Sequence, residues 1–134
     1  MKQELINKAK EAMKNAYAPY SSFKVGAALL TKSGKIYTGC NIENASYTPT
    51  VCAERVAVFN AVADGERDFY MLAVAGGKDG IITEGAFPCG VCRQVMSEFM
   101  DEDAVVVLGY KDGDEELIKE YKFSELMPCG FNKF

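Results

Sequence analysis

Cys52-Ala53-Glu54 and, further along the chain, Pro88-Cys89-Gly90-Val91-Cys92 supply three thiols and a carboxylate in a sequence that contains no histidine. Without imidazole, a transition-metal site has to be built from thiolates and carboxylates, and proton transfer near pH 7 falls to some other group. Three thiolates leave one position of a tetrahedral zinc open to water, the arrangement of a catalytic rather than a closed structural site. Glu54, two positions from Cys52, is near enough to reach such a water without ligating the metal. It is the one credible proton shuttle in these segments.

The local pattern supports ionised thiols. Each cysteine segment opens a helical stretch, and helix starts offer free backbone N–H groups and a positive dipole end, which lower a thiol pKa from about 8.5. A Cys-x-x-Cys pair at a helix start can chelate one ion with Zn–S near roughly 2.3 Å, and Cys52 closes the triangle from the other helix. Three thiolates on a divalent ion leave a net negative charge that blunts its power to acidify water, so a cation belongs close by. Arg55 and Arg93, each directly after the glutamate or a proposed ligand, are the candidates to donate hydrogen bonds to sulfur.

Taken singly, these motifs have blander meanings. A lone Cys-x-x-Cys also suits a redox pair, half of a structural zinc knuckle, or two buried thiols. A structural zinc needs a fourth ligand, for which Cys40 and Cys129 are the candidates; otherwise they read as a buried and a partly covered thiol. Glu54 on a helix is by default a solvated carboxylate. Only the joint pattern favours catalysis.

The elements that position these residues follow from periodicity. Leu5, Ile6, Ala9, Ala12, Met13 and Ala16 recur at helical spacing, which predicts an amphipathic helix over 4–16 ended by Ala18-Pro19-Tyr20. Strands are expected over 23–31 and 35–41, joined by Lys32-Ser33-Gly34 as a hairpin. A helix over 51–63 follows, with Thr48 as a possible N-cap, placing Cys52 and Glu54 in its first turns. A short apolar strand over 70–75, a loop over 76–87 and a second helix over 89–100 opened by Pro88 come next. A buried strand over 103–108, a weaker one over 116–121 and a helical turn over 124–127 complete the chain. Strands alternating with helices imply an α/β layered sandwich.

With 134 residues, the chain is the size of one ordinary domain, expected to span residues 1–134. The 15 Lys+Arg against 19 Asp+Glu give a net charge of -4, opposite to the footprint that phosphate backbones select, which disfavours nucleic acid as a partner. No window approaches the roughly 18 uninterrupted apolar residues of a membrane span, and the polar start Met1-Lys2-Gln3-Glu4 argues against a signal peptide. These features point to the cytoplasm. Five cysteines, an odd number, read better as metal ligands and buried thiols than as a disulfide framework.

The paired cysteine segments match the signature of zinc nucleobase deaminases, with cysteine in place of the more familiar histidine. Beyond them, the runs Tyr17-Ala18-Pro19-Tyr20-Ser21-Ser22-Phe23-Lys24-Val25-Gly26-Ala27-Ala28-Leu29, Gly39-Cys40-Asn41-Ile42-Glu43-Asn44-Ala45-Ser46-Tyr47 and Cys52-Ala53-Glu54-Arg55 closely resemble the small homotetrameric cytidine deaminases that use three cysteine ligands. The resemblance implies a three-layer α/β/α sandwich with a central mixed sheet of about five strands. It implies one Zn2+ per subunit on Cys52, Cys89 and Cys92, Glu54 as general acid/base, and Arg55 offsetting the thiolate charge. Asn41 and Glu43 match a pair that hydrogen-bonds the ribose 3′-hydroxyl, Phe23 an aromatic that packs on the pyrimidine, and Ala53 a substrate contact. Ala45, Tyr47 and Phe131 fall where a neighbouring subunit of the tetramer closes the site.

The implied reaction is hydrolytic deamination of cytidine and deoxycytidine to uridine and deoxyuridine, a step of pyrimidine salvage. Glu54 takes a proton from the metal-activated water and returns it to N3, the water oxygen attacks C4, and ammonia leaves. Two rival readings stand beside this one: a deaminase of a related nucleoside such as the antibiotic blasticidin S, and a non-catalytic, zinc-stabilised binding module. The second requires four protein ligands on the metal.

Overall fold

The computed structural model describes residues 1–83 and 85–132. Leu5, Ile6, Ala9 and Met13 line one face of α1 (Lys2–Met13) and are buried, as their helical spacing requires. The helix stops short of the expected Ala16, because Tyr17 is drawn into a bridge with Ile42. β1 (Phe23–Thr31) and β2 (Ile36–Cys40) form the antiparallel hairpin expected from the sequence. Its turn includes Gly34 at a φ of 94°, a conformation glycine adopts without steric cost. Then come α2 (Ala53–Ala63), β3 (Phe69–Lys78), α3 (Gly90–Ser97), β4 (Val105–Asp112), β5 (Glu115–Lys122) and the single turn α4 (Phe123–Leu126).

The five strands form one sheet in the order β2-β1-β3-β4-β5, with β3 and β4 parallel and the other neighbours antiparallel. Alternation along the strands sends residues to opposite faces. Ala28, Leu30, Met71, Ala73, Ala75 and Val107 pack with α1 on one face. Ala27, Leu29, Leu72, Val74, Val106 and Leu108 pack with residues of α2, α3 and α4 on the other. The architecture is therefore the expected three-layer α/β/α sandwich around a mixed sheet. β3, covered on both faces, is apolar almost throughout. The outer strand β5 instead exposes Glu115, Glu116, Lys119 and Glu120, charges that discourage pairing with another chain. Among the described residues no helix is long and apolar enough to cross a membrane.

Several boundaries differ from expectation, and long-range pairing explains the shifts at α2 and β3. Val51 does not open α2, because its N–H and C=O both bond Ile42 at 3.0 Å and keep the backbone extended. Cys52, with φ -79° and ψ 154°, becomes the N-cap in place of Thr48. Cys89 likewise caps α3 rather than joining it, and that helix ends at Ser97 instead of Met100. β3 runs past Ala75 through Gly76 and Gly77, because β1 pairs with it as far as Phe23 opposite Lys78. A Cβ on Gly77 would lie 1.7 Å from the Ile81 carbonyl oxygen, so what reads as a loop glycine serves a close approach of two backbones.

A second close approach ties the sheet to α2. A Cβ on Gly39 would lie 2.6 Å from both the Ala53 carbonyl oxygen and the Ala57 amide nitrogen, so β2 and the first turns of α2 touch backbone to backbone. Gly39→Ala would force the pair apart and is expected to lower the thermal midpoint by roughly 5–10 °C in a circular-dichroism melt. An unchanged midpoint would contradict this packing.

Candidate active site

Two helix starts converge on one spot. Cys52 is the N-cap of α2, and Cys89 is the N-cap of α3 with its Sγ accepting a hydrogen bond from the Cys92 amide at 3.5 Å. Cys92, one turn into α3, is fully buried. The Cys52 and Cys89 sulfurs are 3.7 Å apart and those of Cys89 and Cys92 3.5 Å apart, with all three within 4.8 Å of one another. Thiolates placed tetrahedrally on zinc at about 2.3 Å stand about 3.8 Å from each other, so the trio fits that ion. Cys40, half-buried at the end of β2 with its thiol pKa raised by burial, and the exposed Cys129 lie outside the cluster. Among the described residues no fourth Cys, Asp or Glu joins it, and a purely structural zinc would need one.

The sulfurs share their charge unequally. Cys52 is pulled down to about 5, chiefly by a hydrogen bond from Cys92 and then by the Arg55 guanidinium, whose Nη2 donates to its sulfur at 3.5 Å. Cys92 is pushed up, first by its bond to Cys52, then by burial and the charge of Glu54. A divalent ion is the partner that lets the remaining thiols ionise. Arg93, the other candidate cation, turns elsewhere: Nε donates to the Pro88 carbonyl at 2.8 Å and Nη1 to the Leu126 carbonyl at 2.9 Å. One residue is about 100° around a helix, so adjacency to Cys92 does not carry Arg93 to the sulfurs. It ties the entry of α3 to α4 instead.

Glu54 sits at the second position of α2 and is 4% exposed. Burial pushes its carboxyl up to about 7, and the negative charge of Cys52 adds to the shift. Glu54 opens with Cys52 and Cys89 onto a cleft of about 340 Å³, within the roughly 300–1,000 Å³ of small-molecule sites.

Phe23, Asn41 and Ala53, singled out from the sequence, line the same cleft. Asn41 Oδ1 accepts from the Val25 amide and its Nδ2 donates to the Phe23 carbonyl, both at 2.8 Å, so the side chain is locked to the start of β1. Glu43 is not on the cleft but in an adjoining hollow with Ser21 and Tyr47; Thr50 forms a wall of both. Ala45 is exposed, Tyr47 is 75% exposed and Phe131 60% exposed; Ala45 and Phe131 line neither hollow. The cleft also includes Val25, Thr50, Val51, Ala86 and Phe87, which sequence reasoning missed. The half-exposed Phe87 ring packs on Tyr121 with centroids 5.5 Å apart. Its one signal was its place directly before Pro88-Cys89.

Metal-assisted hydrolysis, with one buried carboxyl able to relay the proton, is the chemistry of the zinc-dependent deaminases, and the layered sheet is a scaffold for it. Residues 1–108 match the family described as the cytidine and deoxycytidylate deaminase zinc-binding region, and the chain belongs to that family. It is 47% identical over 131 residues to a cytidine deaminase of Sporosarcina psychrophila, covering 98% of this chain and 91% of that one. A cytidine deaminase of Halalkalibacterium halodurans is 48% identical over 130 residues, covering 97% and 93%. The crystal structure of cytidine deaminase from Burkholderia pseudomallei superposes with a TM-score of 0.85 at 45% identity, covering 98% of this chain and 99% of that one.

The Glu54 environment has a consequence for stability. Its folded-state pKa of about 7 lies above the ordinary 4.5, so between those values the folded chain holds a proton that the unfolded chain releases. The contribution of Glu54 to the stability of the metal-stripped protein therefore falls as pH rises through that window and levels off above it. Glu54→Gln is expected to stabilise the stripped protein by up to about 3 kcal/mol at pH 8 and by about 1 kcal/mol or less at pH 5, measured by urea unfolding. An equal effect at both pH values would contradict the burial of an ionisable carboxyl here.

Proposed function

We propose that the chain hydrolyses the exocyclic amino group from cytidine and deoxycytidine, giving uridine or deoxyuridine and ammonia, as a step of pyrimidine salvage in the cytoplasm. The observation that carries this reading is the opening of Cys52, Cys89 and Glu54 onto one cleft, with the buried Cys92 completing the sulfur trio behind them. Cys52, Cys89 and Cys92 would hold zinc, which when bound would supply the Lewis acidity that makes water nucleophilic near neutral pH.

The remaining work falls to side chains. Glu54, with a pKa near 7, is suited both to take the proton of the attacking water and to return it to N3 of the pyrimidine as C4 is attacked. The remaining proton of the new C4 hydroxyl moves to the amino group, the C4–N bond breaks as the C4 carbonyl forms, and ammonia departs. Arg55, bonded to the Cys52 sulfur, offsets thiolate charge. Phe23, 38% exposed on the cleft wall, packs on the base, and the buried Ala53 backs the substrate. Asn41 and Glu43 hold the 3′-hydroxyl, a reading supported by the Thr50 wall their two hollows share. Asn41 retains one N–H and one lone pair beyond its bonds to β1, enough for a single hydroxyl. Nothing in this set calls for a 2′-hydroxyl, which supports acceptance of both sugars.

Residues 1–134 work as one domain, and four copies assemble so that Ala45, Tyr47 and Phe131 close a neighbour's site. The exposed apolar side chains Tyr47, Phe59, Val91 and Phe131 support an assembly of this kind. The acidic balance supports a nucleoside rather than a nucleic acid as substrate.

Cytidine loss followed by ultraviolet absorbance tests the reaction. Chelation is expected to abolish turnover and added zinc to restore it. Glu54→Gln is expected to keep its zinc while losing kcat by about a thousandfold or more. Parent-like turnover in that variant would contradict the assignment.

A further inference from the structure

Between the hollow that holds Glu43 and the cleft that holds Phe23, the backbone passes through Tyr20-Ser21-Ser22-Phe23. Glu43 Oε1 accepts the amide hydrogens of Tyr20 at 3.0 Å and Ser21 at 3.1 Å, and Oε2 accepts the Ser21 hydroxyl. A carboxylate has about four lone-pair sites, so this dipeptide fills three and leaves one for a ligand. The Ser21 oxygen in turn accepts the Phe23 amide hydrogen at 3.0 Å. With that lone pair occupied, the hydroxyl proton is directed at Glu43 rather than at water. The turn is held from outside as well: Ser22, at a φ of 60° uncommon for a non-glycine residue, accepts the Asp79 amide at 2.6 Å through its carbonyl.

We propose that Ser21 is a positioning residue for the deamination: its hydroxyl fixes the rotamer of Glu43 so that the one free lone pair of the carboxylate meets the sugar 3′-hydroxyl. The inference rests on the nucleoside reading above, in which Glu43 is the sugar contact. The two backbone donors hold Oε1 alone, and a carboxylate anchored through one oxygen still swings about it. The hydroxyl on Oε2 supplies the second anchor. It is also the largest influence holding the Glu43 pKa below the ordinary carboxylate value, which keeps the group an acceptor.

The test compares cytidine with 3′-deoxycytidine, which lacks the hydroxyl in question, in the parent, Ser21→Ala, Ser21→Thr and Glu43→Ala enzymes, each checked for zinc content and thermal midpoint. Ser21→Ala is expected to raise KM for cytidine by about tenfold with kcat within about threefold, and to change KM for 3′-deoxycytidine by less than about twofold. Ser21→Thr, which retains the hydroxyl, is expected to restore most of the loss. An equal effect of Ser21→Ala on both nucleosides, or none on either, overturns the proposal while leaving the deamination reading intact if Glu43→Ala still weakens the preference for cytidine. A preference undiminished by Glu43→Ala overturns the Glu43 sugar contact and the role of Ser21 together. Should Ser21→Ala not accumulate as folded protein, Ser21→Cys, of similar size but a weak donor, carries the same comparison.

Discussion

Charge crowding governs this protein. Three sulfurs within 4.8 Å of one another cannot all be anionic unless positive charge is brought among them, and without histidine no neutral ligand relieves the repulsion. The chain meets the demand in three ways: two helix N-termini, the Arg55 guanidinium on the Cys52 sulfur, and a site shaped for a divalent ion. The same crowding reaches Glu54, whose burial next to Cys52 raises its pKa into the range useful for proton transfer at neutral pH. Ligand chemistry and acid–base chemistry are therefore two effects of one electrostatic arrangement.

The sandwich exists to bring two helix starts together. α2 is pressed onto β2 at Gly39, where a side chain would intrude, and this fixes the turn that carries Cys52 and Glu54. α3 lies in the connection between the parallel strands β3 and β4, which needs a long crossover and so delivers Cys89 and Cys92 to the same face of the sheet. Arg93 completes the support by joining the Pro88 and Leu126 carbonyls, so the last helical turn braces the metal-binding loop. The proposed substrate contacts are built differently. Asn41 and Glu43 follow the end of β2 and are locked by hydrogen bonds to the segment that enters β1, so in the proposed complex the hairpin carries the sugar side while the helices carry the metal side.

Much of this was legible in the residues, and the gaps have physical causes. β1 was read to the residue because a continuous apolar run closed by a glycine turn is a local signal. The trio of cysteines and its neighbouring glutamate were legible because ligand chemistry restricts which residues suffice. The start of α2 was not, since Val51 is kept extended by Ile42, a partner nine positions away whose pairing leaves no local trace. Arg93 was misjudged because adjacency along a helix is not adjacency in space. Phe87 and Ala86 were missed because a loop has no period, and their place on the cleft depends on how the chain between β3 and α3 folds back. Ser21 stood inside a recognised run, yet its link to Glu43 spans 22 positions and appears only in three dimensions.

The most direct measurement is sulfur coordination in the zinc-loaded protein by X-ray absorption. The account predicts one zinc per chain with three sulfur neighbours and one light-atom neighbour exchangeable with solvent. Four sulfur neighbours, or a fully active protein without zinc, would contradict it.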